Sequence, residues 1–104
     1  FGGGPRAAYS AAKGGVVQLT KSLAEAWASD GIRVNSVAPG WIETPLAEGL
    51  DETAKARILS RTPLARFGRA DEIGEVIAFL ASDSASYITG IVLPVDGGYL
   101  TTAI

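Results

Sequence analysis

The chain has 104 residues and a formal net charge of −2, with 47% hydrophobic and 19% charged residues. This length fits at most one small domain, and the near-neutral charge predicts neither a nucleic-acid partner nor an anionic membrane surface. The absence of cysteine and histidine excludes disulfides, imidazole metal ligands and a Ser-His-Asp triad. The longest apolar run, residues 76–81, is far shorter than the roughly 20 residues that cross a bilayer, so no membrane partner is expected.

The first residues resemble neither a translation start nor a signal peptide. The chain contains no methionine and opens with Phe1, whereas a signal peptide would open with a charged and then an apolar region. We therefore expect the C-terminal portion of a longer chain. Residues 2–5, three glycines and a proline, predict a loop because glycine costs backbone entropy and Pro5 has no amide donor.

A long helix is predicted over residues 7–29. Val16, Thr20, Leu23 and Trp27 recur with helical spacing, which places them along one face of the helix. Another side carries small residues, which would allow a second helix to approach closely. Gly31 predicts the end of the helix.

Two strands are predicted, at residues 32–37 and 91–95. The first follows the long helix after two turn residues, an arrangement typical of a βαβ unit and a parallel sheet. The second contains Pro94, which has no donor for a ladder and therefore predicts an edge strand.

Three shorter helices are predicted between these strands. One starts at Thr44-Pro45, a pair typical of a helix start. A second covers residues 52–60, and a third covers 71–81 with an apolar face that contains Ile73, Val76, Ile77 and Leu80. Turns are predicted at residues 82–84 and 96–98. Two strands cannot cover all these helices, so we expect most of the sheet to be missing.

Tyr9 and Lys13 form the most informative pair. Their i, i+4 spacing places them one turn apart on one helix face. A free phenol has a pKa of about 10, and an ammonium group within about 4–6 Å lowers that pKa, which lets the phenol exchange a proton with an alcohol or carbonyl. The spacing alone also occurs by chance on many helices.

The surrounding motifs resemble those of the short-chain dehydrogenase/reductase family. Tyr9-Ser10-Ala11-Ala12-Lys13 resembles its YxxxK motif. Later matches follow in the family's order, at residues 33–40 (RVNSVAPG), at Ile42 and Thr44, and at 90–98 (GIVLPVDGG). The resemblance covers nearly the whole chain from Tyr9 onward, and the sugar-acid and polyol dehydrogenases and the 3-oxoacyl reductases are its closest branches.

The resemblance implies a role for each matching residue. Tyr9 would be the acid/base, and Lys13 would lower its pKa and bind the nicotinamide ribose. Pro39-Gly40 would form the ligand-side turn after a strand. The backbone of Ile42 would hold the nicotinamide carboxamide, and the Thr44 hydroxyl would reach the carboxamide or the pyrophosphate.

One further segment matches the family, and two of the family's features have no counterpart in this chain. Residues 41–60 match its mobile substrate-covering region, whereas its glycine-rich dinucleotide loop and catalytic serine have no counterpart here.

Simpler interpretations remain open for several of these residues. Thr44 could cap a short helix with or without a ligand role, and Pro39-Gly40 could be a plain turn. Three arginines could suggest an anion site, although solvation at the surface is the simpler interpretation: Arg61, Arg66 and Arg69.

The sequence as a whole predicts an α/β fold, the C-terminal part of a doubly wound parallel-sheet domain, as one partial domain over residues 1–104. The resemblance implies an oxidoreductase with NAD or NADP as cofactor and a small carbonyl or alcohol as substrate. Expected partners are the missing N-terminal half of the fold and further copies of the same chain in a dimer or tetramer. The expected location is cytoplasmic. The alternative is a catalytically silent assembly fragment. A small standalone ligand-binding domain is a third interpretation.

Overall fold

The structure is a computed structural model that describes residues 4–101, with the side chains of residues 4–10 and Leu46 outside the description. Residues 1–3, which include part of the predicted N-terminal loop, also lie outside the description. The longer elements, in chain order, are α1 (Gly4–Trp27), β1 (Ser36–Pro39), α2 (Pro45–Glu48), α3 (Glu52–Ser60), α4 (Ala70–Ala81) and β2 (Val92–Val95). Three short 3-10 turns accompany them, at Ala28–Asp30, Asp83–Ala85 and Tyr99–Thr101.

The two strands form a parallel sheet. The amide of Ser36 donates to the carbonyl of Ile91 and the amide of Gly40 to that of Val95, each at 3.0 Å. Both bonds join residues 55 positions apart, so the strands run in the same direction. The predicted α/β class with a parallel sheet is confirmed.

Both strand prolines fit this register. Successive backbone amides point to opposite sides of a strand. Because the amides of Ser36 and Gly40 point towards β2, the backbone nitrogen of Pro39 points away from it. The carbonyls of Ile91 and Val95 point towards β1, so the backbone nitrogen of Pro94 points away from β1. Neither proline therefore removes a donor from the ladder.

The first strand starts later than predicted. Residues 32–35 precede β1 because side chains take part in their pairing with residues 88–91 in place of a regular ladder. The Val34 amide donates to Thr89 Oγ1 at 3.0 Å, and the Asn35 side chain donates to the carbonyl of Ile88 at 3.0 Å. The strand itself begins at Ser36 and ends beyond the predicted boundary, with Pro39.

The long helix is confirmed with different ends. Gly4 and Pro5 belong to α1 rather than to the predicted loop, since proline is tolerated in a helix's first turn, where its amide needs no partner. At the other end, Gly31 is left-handed (φ 77°) and its amide donates to the carbonyl of Ala28. Glycine adopts this backbone conformation without steric cost.

The described chain forms two compact units. The first contains the residues up to Ser36 together with residues 85–92, and the second contains residues 37–84 together with those from Leu93 onward. Buried residues of the first unit are Thr20, Ala24 and Ala85, and those of the second are Ala47, Thr62 and Leu80.

Much of the predicted apolar helix surface is exposed. Val16 is 52% exposed and Trp27 41%, both on the face of α1 that also carries the buried Thr20. On α4, Ile77 is 50% exposed, while Leu80 is buried. Within residues 4–101, too little structure packs over these faces to cover them. None of the helices in this range combines the length and apolar character needed to cross a membrane.

Candidate active site

Tyr9 and Lys13 lie on one continuous helix in the first unit. α1 has no break between Gly4 and Trp27, so the two residues are one turn apart on the same face. Lys13 is exposed, whereas the side chain of Tyr9 lies outside the described part of the chain. The backbone therefore places the two positions one helical turn apart.

The end of β1 is built around a close approach between Gly40 and Asp96 in the second unit. A Cβ on Gly40 would lie 2.7 Å from both the Cα and the Cβ of Asp96. The Gly40 amide is the last donor of the ladder, to Val95. Glycine at this position therefore serves the packing of the turn itself, at the carboxyl end of a parallel strand where α/β sheets receive ligands.

Ile42 forms a single parallel bridge with Gly68. The Gly68 amide donates to the carbonyl of Trp41 at 2.9 Å, and the Glu43 amide donates to the carbonyl of Gly68 at 2.8 Å. In a parallel bridge of this kind, the peptide groups of Ile42 itself point to the opposite side. The bridge therefore fixes Ile42 while leaving its own amide and carbonyl directed away from Gly68.

Thr44 caps α2. Its Oγ1 accepts a hydrogen bond from the Ala47 amide at 3.2 Å, and its carbonyl accepts one from the Glu48 amide at 2.9 Å. The predicted helix start and the capping role are confirmed. A hydroxyl that accepts at a cap still has its own proton to donate, so capping does not exclude contact with a ligand.

A cleft of about 800 Å³ adjoins Thr44 in the second unit. This volume is in the range of small-molecule sites. Its walls come from α2, α3 and the segment before α4, and they combine apolar side chains with three acidic and two basic ones: Pro45, Ala47, Ala56, Leu59 and Phe67, with Glu43, Glu48, Glu52, Lys55 and Arg66.

Two of the three arginines considered for an anion site make ion pairs. Arg66 binds both carboxylate oxygens of Glu72, at 2.9 and 2.7 Å, and Arg69 Nε binds Asp71 at 3.0 Å. The hydrogen bond from Arg66, followed by that from the Arg69 amide, lowers the pKa of Glu72 to about 2. The third, Arg61, lies over the ring of Tyr99 at 5.5 Å. These contacts favour a structural role for the arginines.

The predicted site residues fall into two groups. Tyr9 and Lys13 belong to the first unit, and Pro39, Gly40, Ile42 and Thr44 belong to the second. Sequence reasoning missed Gly68 and Asp96, the partners of Ile42 and Gly40. Asp96 was predicted only as part of a turn, and no local signal pairs either residue with its partner, because each lies more than 20 residues from it.

The comparisons with known proteins agree with these motifs. A family profile described as "Enoyl-(Acyl carrier protein) reductase" matches residues 2–100. The 3-oxoacyl-[acyl-carrier-protein] reductase of Thermotoga maritima is 54% identical over 90 residues, which cover 86% of this chain and 37% of that protein. The cis-4-hydroxycyclohexanecarboxylate dehydrogenase of Sinomonas cyclohexanicum is 54% identical over 91 residues, which cover 88% and 36%.

A solved structure extends the likeness to the fold. The crystal structure of a "putative 2-deoxy-d-gluconate 3-dehydrogenase" from Agrobacterium tumefaciens, with bound NADP, matches with a TM-score of 0.85 and 47% identity. The match covers 89% of this chain and 39% of that one. The chain belongs to the short-chain dehydrogenase/reductase family and corresponds to its C-terminal portion. It spans between a third and two fifths of the length of these relatives.

The residues of the second unit fit a nicotinamide group. A carboxamide needs one donor and one acceptor in fixed positions, and the amide and carbonyl of Ile42 are directed away from the bridge that holds them. The Thr44 hydroxyl lies two residues further on and keeps a proton to donate while it caps α2.

Proposed function

We propose that this chain supplies the acid/base helix and the nicotinamide-side turn of an NAD(P)-dependent oxidoreductase. Family membership and the NADP bound to a solved relative support this proposal. The single observation that carries it is the continuity of α1 from Gly4 to Trp27, because only an unbroken helix keeps Tyr9 and Lys13 one turn apart.

Tyr9 moves the proton of the reaction. When an alcohol is oxidised, its hydroxyl proton passes to the Tyr9 phenolate while the hydride leaves the carbinol carbon; in the reduction, the phenol returns the proton to the carbonyl oxygen. Bound nicotinamide supplies the hydride acceptor or donor. Lys13 stabilises the phenolate with its positive charge and so brings the pKa of Tyr9 closer to neutral pH.

The other four residues hold the cofactor in this proposal. Lys13 also binds the ribose hydroxyls. Ile42 holds the carboxamide through its backbone, and Thr44 donates its hydroxyl to the carboxamide or the pyrophosphate. Pro39 and Gly40 form the turn at the end of β1, and the close approach of Gly40 to Asp96 leaves room for the ligand beside it.

The substrate class is a carbonyl or secondary alcohol. The names of the relatives describe a cyclic hydroxy acid, a deoxy sugar acid and a 3-oxoacyl group, which share this functional group and little else. The cleft beside Thr44 is large enough for molecules of this size.

A hybrid enzyme tests the proposal. The matching segment of the Thermotoga maritima reductase is replaced by this chain, and the oxidation of NADH and NADPH by a 3-oxoacyl substrate is followed by absorbance. We expect turnover in the hybrid enzyme and a loss of at least 100-fold in Tyr9→Phe, since general acid–base catalysis contributes about 10²–10⁴-fold.

A second tyrosine provides the control. Tyr87 has a fully exposed side chain (102%), so Tyr87→Phe removes the same hydroxyl without touching the proposed site and should retain full activity. Equal activity of the two variants would rule out Tyr9 as the acid/base.

Assembly without catalysis is a second candidate function. The exposed Leu19 on α1 and the exposed Ile77 and Phe79 on α4 favour it, because apolar helix faces of this kind commonly contact a partner. It predicts that the chain alone forms a stable oligomer by light scattering and neither binds nor turns over a nicotinamide cofactor. Cofactor binding by the chain alone would favour the oxidoreductase.

A further inference from the structure

One buried hydroxyl on α1 has a partner outside the helix. Thr20 is 4% exposed, and its Oγ1 donates to the carbonyl of Val16 at 2.7 Å. The same oxygen lies 2.6 Å from Ser36 Oγ. A hydroxyl has one proton, so Thr20 uses its own on Val16 and Ser36 donates the second hydrogen bond to Thr20.

The partner of Thr20 is itself firmly held. The Ser36 amide donates to the carbonyl of Ile91. The neighbouring Asn35 side chain donates to the carbonyl of Ile88 at 3.0 Å and accepts from the Ile91 amide at 3.2 Å. Ser36 is therefore held by its own backbone bond to Ile91, and two further bonds hold its neighbour Asn35 against the same segment.

Thr20 lies on the helix face that carries the proposed acid/base pair. At 3.6 residues per turn, positions 9, 13, 16 and 20 fall within an arc of about 60°. Residues 11–16 are exposed, and Thr20 is the first residue of this face, in chain order, whose described side chain is buried. The Thr20–Ser36 bond therefore ties this face of α1 to the start of β1.

We propose that the Thr20–Ser36 hydroxyl pair is a positioning device that fixes the rotation of α1 and so aims Tyr9 and Lys13 at the substrate. This inference rests on the proposed function. A rotation of about 10° moves a side-chain tip some 6 Å from the axis by roughly 1 Å, and a misplacement of this size costs up to about 100-fold in rate. Two hydroxyls that never touch the substrate thereby control the reaction.

The test compares Thr20→Val with Thr20→Ser in the hybrid enzyme. Valine keeps the shape and loses both hydrogen bonds, whereas serine keeps both. We expect kcat to fall at least 10-fold in Thr20→Val while KM stays within about 2-fold, and Thr20→Ser to restore kcat to within about 3-fold. Ser36→Ala should lower kcat similarly, and the double variant Thr20→Val/Ser36→Ala no further, because both changes remove the same hydrogen bond between Thr20 and Ser36.

Thr62 provides a matched structural control. It is also buried (6% exposed), and its Oγ1 also donates to the carbonyl four residues earlier, at Ile58. Thr62→Val should lower the melting temperature about as much as Thr20→Val and leave kcat unchanged. If Thr20→Val and Ser36→Ala both retain the kcat of Thr62→Val, the positioning role is wrong. Activity that survives Tyr9→Phe would instead overturn the proposed function, and this inference with it.

Discussion

Gly40 and Asp96 are in van der Waals contact through their backbones, and the space for a Cβ on Gly40 is already filled. A Cβ on Gly40 would lie 2.7 Å from the Cα of Asp96 and 3.2 Å from its carbonyl oxygen. Asp96 cannot move away freely, because its carboxylate accepts hydrogen bonds from the amides of Gly98 at 2.9 Å and Leu100 at 3.1 Å. The turn after β1 and the turn after β2 therefore fix each other.

Gly40→Ala should destabilise the protein by roughly 1–3 kcal/mol, since a forced insertion into packed backbone has a cost of this order. The measurement is the free energy of unfolding in urea. Gly74→Ala is the control. Gly74 lies in α4, and a Cβ at this position would have no neighbouring atom within 4 Å. Alanine there should therefore stabilise the helix by about 0.5–1 kcal/mol. Equal effects of the two substitutions would contradict the close contact.

The ion pair between Arg66 and Glu72 should make stability depend on acid pH. Hydrogen bonding to Arg66 lowers the pKa of Glu72 from 4.5 to about 2 in the folded chain. A lowered carboxyl pKa stabilises the fold above about pH 4.5, and this stabilisation is lost as the pH falls towards 2. Glu72→Gln should therefore flatten the change in unfolding free energy over this interval, because glutamine keeps an acceptor for the Arg69 amide but cannot ionise.

Glu75 supplies the comparison for that experiment. It is exposed on the same helix, and Glu75→Gln removes the same charge without breaking the bond to Arg66. The wild-type pH profile should persist in Glu75→Gln. A profile unchanged by Glu72→Gln would show that the Arg66 pair adds nothing to the pH dependence.

Thr44 and Asp51 allow the capping role to be separated from a cofactor role. Each side chain caps a helix, Asp51 by accepting from the Ala54 amide at 2.7 Å, so alanine at either position should cost about 1 kcal/mol of stability. Only Thr44→Ala should also weaken NADP binding to the hybrid enzyme, by about 5–10-fold, as expected for one lost hydrogen bond. Thr44→Ser should retain both the stability and the NADP affinity of the wild type. Equal NADP affinities of Thr44→Ala and Asp51→Ala would show that Thr44 caps the helix and does not bind the cofactor.

The local elements of the fold could be predicted because their signals are local. The bounds of α3 agree with the prediction, and α4 begins one residue early. The start of β1 could not be predicted, because residues 32–35 have strand-like composition and their fate depends on Thr89 and Ile88, more than 50 residues away.

The candidate site could be predicted only where a motif is contiguous. Tyr9, Lys13 and Thr44 were identified from their neighbours in sequence. The hydroxyl pair of Thr20 and Ser36 could not be found in this way: Thr20 was assigned only to one face of a helix, and nothing in the sequence shows that a serine 16 residues later would reach it.

The acidity of the Tyr9 hydroxyl tests the central claim most directly. The chain has three tyrosines, so labelling of the phenol carbon gives three resolvable NMR signals, and the exposed Tyr87 serves as an internal reference. In the wild-type chain, Tyr9 should titrate at lower pH than Tyr87, and Lys13→Met should remove most of that difference, whereas Lys21→Met on the same helix should not. Coincident titration of Tyr9 and Tyr87, unchanged by Lys13→Met, would contradict a phenol activated by this lysine.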